Sequence, residues 1–140
     1  MSLWKAYYHF VWGTKNREHL LHGPRPAIVR ETIIAISREY ESLVHAIGFM
    51  PEHVHLLISI PPKFAPASFI QRAKGVATRN VNIETEHSLG HFSWQGEYGV
   101  VTIAERSLVD VKRYVENQPE RHLRNQLWPD FERTVDPRFN

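Results

Sequence analysis

Apolar and polar positions alternate from residue 4 to residue 14. Trp4, Ala6, Tyr8, Phe10 and Trp12 form one stripe, and Lys5, Tyr7, His9 and Val11 the other. Aromatic and β-branched residues at period two predict a strand. The period then changes. Val29, Ile33, Ile36 and Tyr40 recur at helical spacing within 24–41, with Arg30, Glu31, Arg38 and Glu39 turned to solvent and Pro24 and Pro26 at the entry. Residues 43–50 read as a second strand. A third runs from His53 to the Pro61-Pro62 stop, close enough behind the second to pair with it antiparallel. Phe69, Ala73, Val76 and Ala77 predict a helix over 66–81, opened by Pro66 or capped by Ser68. Residues 82–90 are polar and loop-like, 91–96 form an aromatic turn, and 98–104 a fourth strand. Leu108, Val111 and Val115 stripe a third helix that starts behind Ser107 and ends near Asn117-Gln118-Pro119. The polar remainder offers Trp128, Pro129 and Phe131 as docking anchors.

The order β-α-β-β-α-β plus one helix predicts an α+β fold. It is the ferredoxin-like (split βαβ) four-stranded antiparallel sheet, with two helices on one face and an additional C-terminal helix that carries Tyr114. The 140 residues suit a single domain, with a core over about 4–122 and a C-terminal tail over 123–140. The sheet face away from the two helices is expected to be open to a ligand. No apolar run approaches the ~20 residues of a membrane span. Residues 1–5 lack the apolar region of a signal peptide. With no cysteine there is no disulfide and no thiolate metal site, and the expected compartment is the cytoplasm. A net charge of +2 does not by itself indicate nucleic-acid binding. Arginine predominates among the 17 basic residues, which suits phosphate contacts.

The chemistry centres on Pro51-Glu52-His53-Val54-His55. Side chains alternate along a strand, so His53 and His55 share a face about 7 Å apart, while Val54, Leu56, Ile58 and Ile60 face the core. Two same-face imidazoles can converge on one metal ion; an isolated His-x-His is also a common accident of a half-exposed strand. On the third helix Tyr114 and Gln118 lie one turn apart on a face bordering the apolar stripe. Taken alone, they read as a packing tyrosine and an exposed glutamine. Set against an open sheet face with two histidines, Gln118 can offer a carbonyl oxygen as third ligand, and Tyr114 can reach a phosphate held on the metal. A phenol attacking that phosphate yields a covalent phosphotyrosine, reversible by an incoming hydroxyl and needing no ATP. Lys15 and Arg17 in the first loop, and Arg72, Lys74 and Arg79 on the second helix, are candidates for DNA-backbone contacts. Tyr7, Trp94 and Tyr98 are candidates for base stacking or for core. His9 either faces the same side as the His pair or is simply a satisfied sheet histidine, and the second reading is favoured.

Four segments occur in order: Tyr7-Tyr8-His9-Phe10-Val11-Trp12, Met50-Pro51-Glu52-His53-Val54-His55-Leu56-Leu57, Phe92-Ser93-Trp94-Gln95 and Arg113-Tyr114-Val115-Glu116-Asn117-Gln118. With this ordered set the chain resembles the single-tyrosine, His-hydrophobic-His (HUH) transposases of small bacterial insertion sequences and their REP-associated relatives. The resemblance implies DNA transposition: single-stranded DNA cleaved and rejoined at hairpin-flanked ends, with a 5′-phosphotyrosine intermediate and a 3′ hydroxyl left behind. It implies His53, His55 and Gln118 as ligands of Mg²⁺ or Mn²⁺, Tyr114 as nucleophile, and a homodimer in which one subunit's tyrosine helix can complete the other's His pair. It also implies a bacterial protein acting at the nucleoid. Relatives often carry Asp or Asn where Glu52 stands, and Pro119 directly follows Gln118. Two other readings compete: a domesticated single-stranded nucleic-acid-binding module without strand transfer, and a metal-dependent hydrolase that uses water.

Overall fold

The computed structural model describes residues 4–117. The elements are β1 (Tyr7–Gly13), a 3-10 turn (Lys15–Arg17), α1 (Arg25–Glu39), β2 (Leu43–Met50), β3 (His53–Ser59), α2 (Pro66–Leu89), β4 (Gly99–Ile103), a second 3-10 turn (Glu105–Ser107) and α3 (Leu108–Glu116). The strands form one sheet in the order β2-β3-β1-β4, every neighbouring pair antiparallel. This is the expected ferredoxin-like arrangement.

The alternation read from the sequence decides which side faces the core. Phe10 and Trp12 of β1 and Val54, Leu56 and Ile58 of β3 point to one face, where Val29, Ile33 and Ile36 of α1 and Phe69, Ala73, Ala77 and Val81 of α2 close over them. Fully burying side chains of this size contributes roughly 1.5–3 kcal/mol each, so this layer provides most of the stability. Tyr40 packs edge-on against Phe69 and Phe64, fixing the end of α1 on α2.

Two expectations are corrected. The second helix does not stop at Val81 but runs to Leu89, so 82–90 is not a loop. Thr85 continues the inward row of Phe69, Ala73, Ala77 and Val81 at four-residue spacing, and it is a polar residue. Its hydroxyl accepts from Arg25 Nε at 2.9 Å. Arg25 is itself fully buried at the start of α1 and also donates to Leu20 O at 3.2 Å and to Gly90 O. A buried guanidinium thus stands where a hydrophobic residue would have signalled the last two turns. Gly90, at φ +86°, ends the helix in a conformation costly for any residue with a Cβ.

The second correction concerns the open sheet face. α3 lies across it over β2 and β3, and Val111, Tyr114 and Val115 pack with Ala46 and Leu57 into a second, smaller apolar cluster. With α1 and α2 over its other face, every residue of β3 is buried. The third helix ends at Glu116 with Asn117 as its cap. Gln118 and the anchors Trp128, Pro129 and Phe131 lie outside the described residues.

Candidate functional site

The site forms between β3, its neighbours and α3. The register places Gly13 and Met50 on either side of His53, and Val11 and Gly48 on either side of His55. Both histidines are fully buried on the face that α3 covers, and their ring centroids are 5.0 Å apart. Tyr114 is also fully buried. Its ring stands edge-on to His55 at 5.7 Å and to His9 at 6.4 Å. The structure thus brings together three of the four residues expected at the site, His53, His55 and Tyr114, within one chain. The expected Gln118 falls outside the described residues.

Each histidine is held by its Nδ1. Glu52 Oε1 lies 2.9 Å from His53 Nδ1. A carboxylate only accepts, so that nitrogen carries the hydrogen, and a neutral His53 has its lone pair on Nε2. His55 Nδ1 lies 2.8 Å from His9 Nε2, with the rings 5.0 Å apart. The tautomer in which His55 donates to His9 likewise leaves its lone pair on Nε2. Fixing one ring nitrogen so that the other can ligate is how metal-binding imidazoles are usually oriented. Two neutral imidazoles of this kind suit a divalent cation. Among the described residues no group of three or more His, Cys, Asp or Glu is arranged to hold a metal ion.

Glu52 is the electrostatic hub. Besides His53, it lies 3.8 Å from an Arg17 guanidinium nitrogen and 3.6 Å from His19 Nε2. The hydrogen bond from His53, aided by the charges of His53, Arg17 and His19, holds its carboxyl below the usual range, against the opposing effect of burial. A carboxylate therefore does accompany the His pair, but it is committed to orienting His53.

The five basic candidates separate. Lys15 and Arg17 sit in the 3-10 turn directly after β1, at the His53 end of the site. Arg72 and Arg79 are exposed on α2, in the helix layer on the sheet's other face, and Arg72 pairs with Glu39 at 3.2 Å. Lys74 is turned inward. Its Nζ donates to Gln95 O at 2.9 Å and Glu97 O at 3.1 Å, and burial pushes its pKa down to about 8. It ties α2 to the aromatic turn. Tyr98 packs beside Phe10, and Trp94 is edge-on to Trp12 and Phe92, so both belong to the helix-side packing.

His9 faces the same side as the His pair, the less favoured of its two readings. It is satisfied, as expected of a sheet histidine, but its partner is His55. Its place in the same stripe as Val11, opposite a His-bearing strand, was the available signal. Seeing it required the β1–β3 register.

The comparisons with known proteins agree with one another. The family model described as "Transposase IS200 like" matches residues 2–118. The ISDra2 transposase TnpA of Deinococcus radiodurans is 27% identical over 118 residues, covering 81% of this chain and 84% of that protein. The transposase for insertion sequence element IS200 of Salmonella typhimurium is 21% identical over 122 residues, covering 84% and 79%. Among solved structures, a candidate transposase from Deinococcus radiodurans R1 superposes with a TM-score of 0.67 at 26% identity, over 84% of this chain and 93% of that one. A REP-associated tyrosine transposase bound to a REP hairpin shares the fold at a TM-score of 0.65 and 20% identity, over 100% and 88%. The match spans both strands of the His site and the helix that carries Tyr114, and on it the chain belongs to the IS200-like transposase family.

Proposed function

We propose that this transposase cleaves and rejoins single-stranded DNA at hairpin-flanked ends, with Tyr114 as the nucleophile. One observation carries the reading: the buried Tyr114 ring stands 5.7 Å from His55, whose Nδ1 is already engaged. In the step proposed, the Tyr114 phenolate oxygen bonds to the scissile phosphorus as the bond to the 3′ oxygen breaks. The phenol gives up its proton and the leaving 3′ oxygen takes one up. The 5′ phosphate is then held on Tyr114, and attack by another strand's 3′ hydroxyl reverses the exchange with no net change in ester bonds.

His53 and His55 would hold Mg²⁺ or Mn²⁺ through Nε2, with Gln118 as the third ligand that the family resemblance implies. A bound divalent cation supplies charge neutralisation at the phosphate. Glu52 and His9 orient the two rings. Lys15 and Arg17 stand where they can meet the DNA backbone at the His53 end, while Arg72 and Arg79 would serve a strand that passes over the helix layer. A hairpin partner is supported by the hairpin-bound protein of the same fold. We read the active form as a homodimer at the nucleoid, and the packing of α3 on its own sheet supports assembly of the site within one chain. Among the described residues no helix is long and apolar enough to cross a membrane.

The test is covalent chemistry. Incubation with single-stranded hairpin DNA and Mn²⁺, followed by a denaturing gel, is expected to give a DNA-linked protein band that disappears in Tyr114→Phe. Hairpin binding without any adduct would favour the domesticated binding module. Cleavage that survives Tyr114→Phe would favour the hydrolase that uses water.

A further inference from the structure

The aromatic turn of Phe92, Ser93, Trp94 and Gln95 has no part in the chemistry above, and the pairing of its last residue points toward the site. The turn is paired to the chain just after β1. Lys15 N donates to Ser93 O and Gln95 N donates to Gly13 O, each at 3.1 Å, and Thr14 and Trp94 form an antiparallel bridge. This pairing continues the sheet ahead of the start of β4. Residues opposite one another in an antiparallel pair present their side chains to the same face. Gln95 therefore shares the face of Gly13, and Gly13 is in register with His53. Trp94, one position back, turns to the other face and packs on Trp12 and Phe92, as alternation requires. Gln95, Gly13 and His53 form one row across the sheet, on the face that carries both histidines.

Gly13 has no side chain to fill the space between them. A Cβ placed on Gly13 would lie 3.5 Å from Gln95 Oε1, so the carboxamide extends over the glycine. Gln95 is only 8% exposed, and its Oε1 is buried with no hydrogen-bond partner among the described residues. Leaving a buried acceptor unsatisfied is costly. Such a buried atom calls for a partner, a water or an ion. A carboxamide oxygen can meet only a cation or a hydrogen-bond donor, and hard divalent cations take oxygen ligands. The carboxylate nearest the row, Glu52, is already engaged by His53, Arg17 and His19.

We infer that Gln95 supplies an oxygen ligand, directly or through one cation-bound water, to a divalent cation held by His53 and His55. The inference rests on the cation site in the proposed function and adds to it a donor from the aromatic turn. It also gives Lys74 a purpose. Lys74 Nζ donates to the backbone oxygen of Gln95 and pins the turn from the other side.

The test is calorimetric titration of Mn²⁺ into the DNA-free full-length protein, beside Gln95→Leu, Gln95→Glu and His53→Ala. Gln95→Leu is expected to weaken Mn²⁺ binding by roughly 10–100-fold, the range seen when a group supporting a metal site is lost. Gln95→Glu is expected to bind Mn²⁺ more tightly than the parent, and to gain more in melting temperature from added Mn²⁺, because the cation neutralises the buried carboxylate. Should Gln95→Leu fail to fold, the Gln95→Glu result decides alone. If His53→Ala abolishes binding while both Gln95 variants match the parent, the role of Gln95 is overturned and the His site stands. If the parent binds no Mn²⁺, or its binding survives His53→Ala, both readings fall.

Discussion

Val115→Ala tests whether α3 is held on the sheet as a separately docked element. The helix has nine residues and buries three side chains, Val111, Tyr114 and Val115. A helix this short is not stable on its own in water, so its position depends on those contacts. The substitution removes two methyl groups from a side chain with no exposed surface. At about 0.8 kcal/mol per buried carbon the loss is about 1.6 kcal/mol, a factor of roughly 15 in the docking equilibrium. Val115 packs in the smaller cluster with Ala46 and Leu57, apart from the α1/α2 core, so the loss should stay local. Tyr114 and the two histidines proposed as ligands are fully buried, so access of a DNA phosphate to them would require the cover to shift. Native-state amide hydrogen exchange reads the effect directly. Amides of residues 112–117 should exchange roughly 15-fold faster in the variant, while those of β3 change little. Equal acceleration in β3, or an unchanged rate in α3, would refute the reasoning.

Replacing His9 with Phe removes the partner of His55 Nδ1 and should weaken Mn²⁺ binding by roughly 10–100-fold, with His9→Gln falling between it and the parent in calorimetric titration. Identical affinities would mean that His55 needs no such partner. Lys74 titrates at about 8 in the folded protein against 10.5 as its ordinary value, so between those values the unfolded chain holds more protons. Its contribution to stability therefore rises as pH increases from about 8 to 10.5, and below about 8 its desolvation penalty is fully present. Urea unfolding at pH 7.5, 9 and 10 should show Lys74→Met losing this rise, and a parent and variant with parallel pH profiles would contradict it.

Much of the fold was legible because its pattern is simple. The helix-side stripe of β1, the β3 stripe of Val54, Leu56 and Ile58, and the α1 stripe all occupy the core that period alone assigns them. The end of α2 was not legible, because its last inward position is Thr85, whose partner Arg25 lies 60 residues earlier. Tyr114 was placed at the rim of its helix's stripe. It is buried because α3 packs across β2 and β3, and the helix's stripe shows that one face is covered but not by which surface. The His pair was visible from its alternation, and its orienting contact from Glu52 is local. The second contact, from His9, depends on strand register, as does the position of Gln95 over Gly13. Lys74 looked like one more exposed cation beside Arg72 and Arg79. Its inward turn follows from carbonyls on the aromatic turn that only the fold brings to α2. What sequence pattern alone could not supply was mostly of this kind, contacts between residues far apart in the chain.

The central claim is that Tyr114 carries the DNA. The direct measurement is mass spectrometry of the covalent complex, formed on single-stranded hairpin DNA with Mn²⁺ and digested with protease and nuclease. The account predicts a single modified peptide, with a nucleotide 5′-phosphate esterified to Tyr114. The same modification on another residue, or cleaved DNA with no modified peptide, would contradict it.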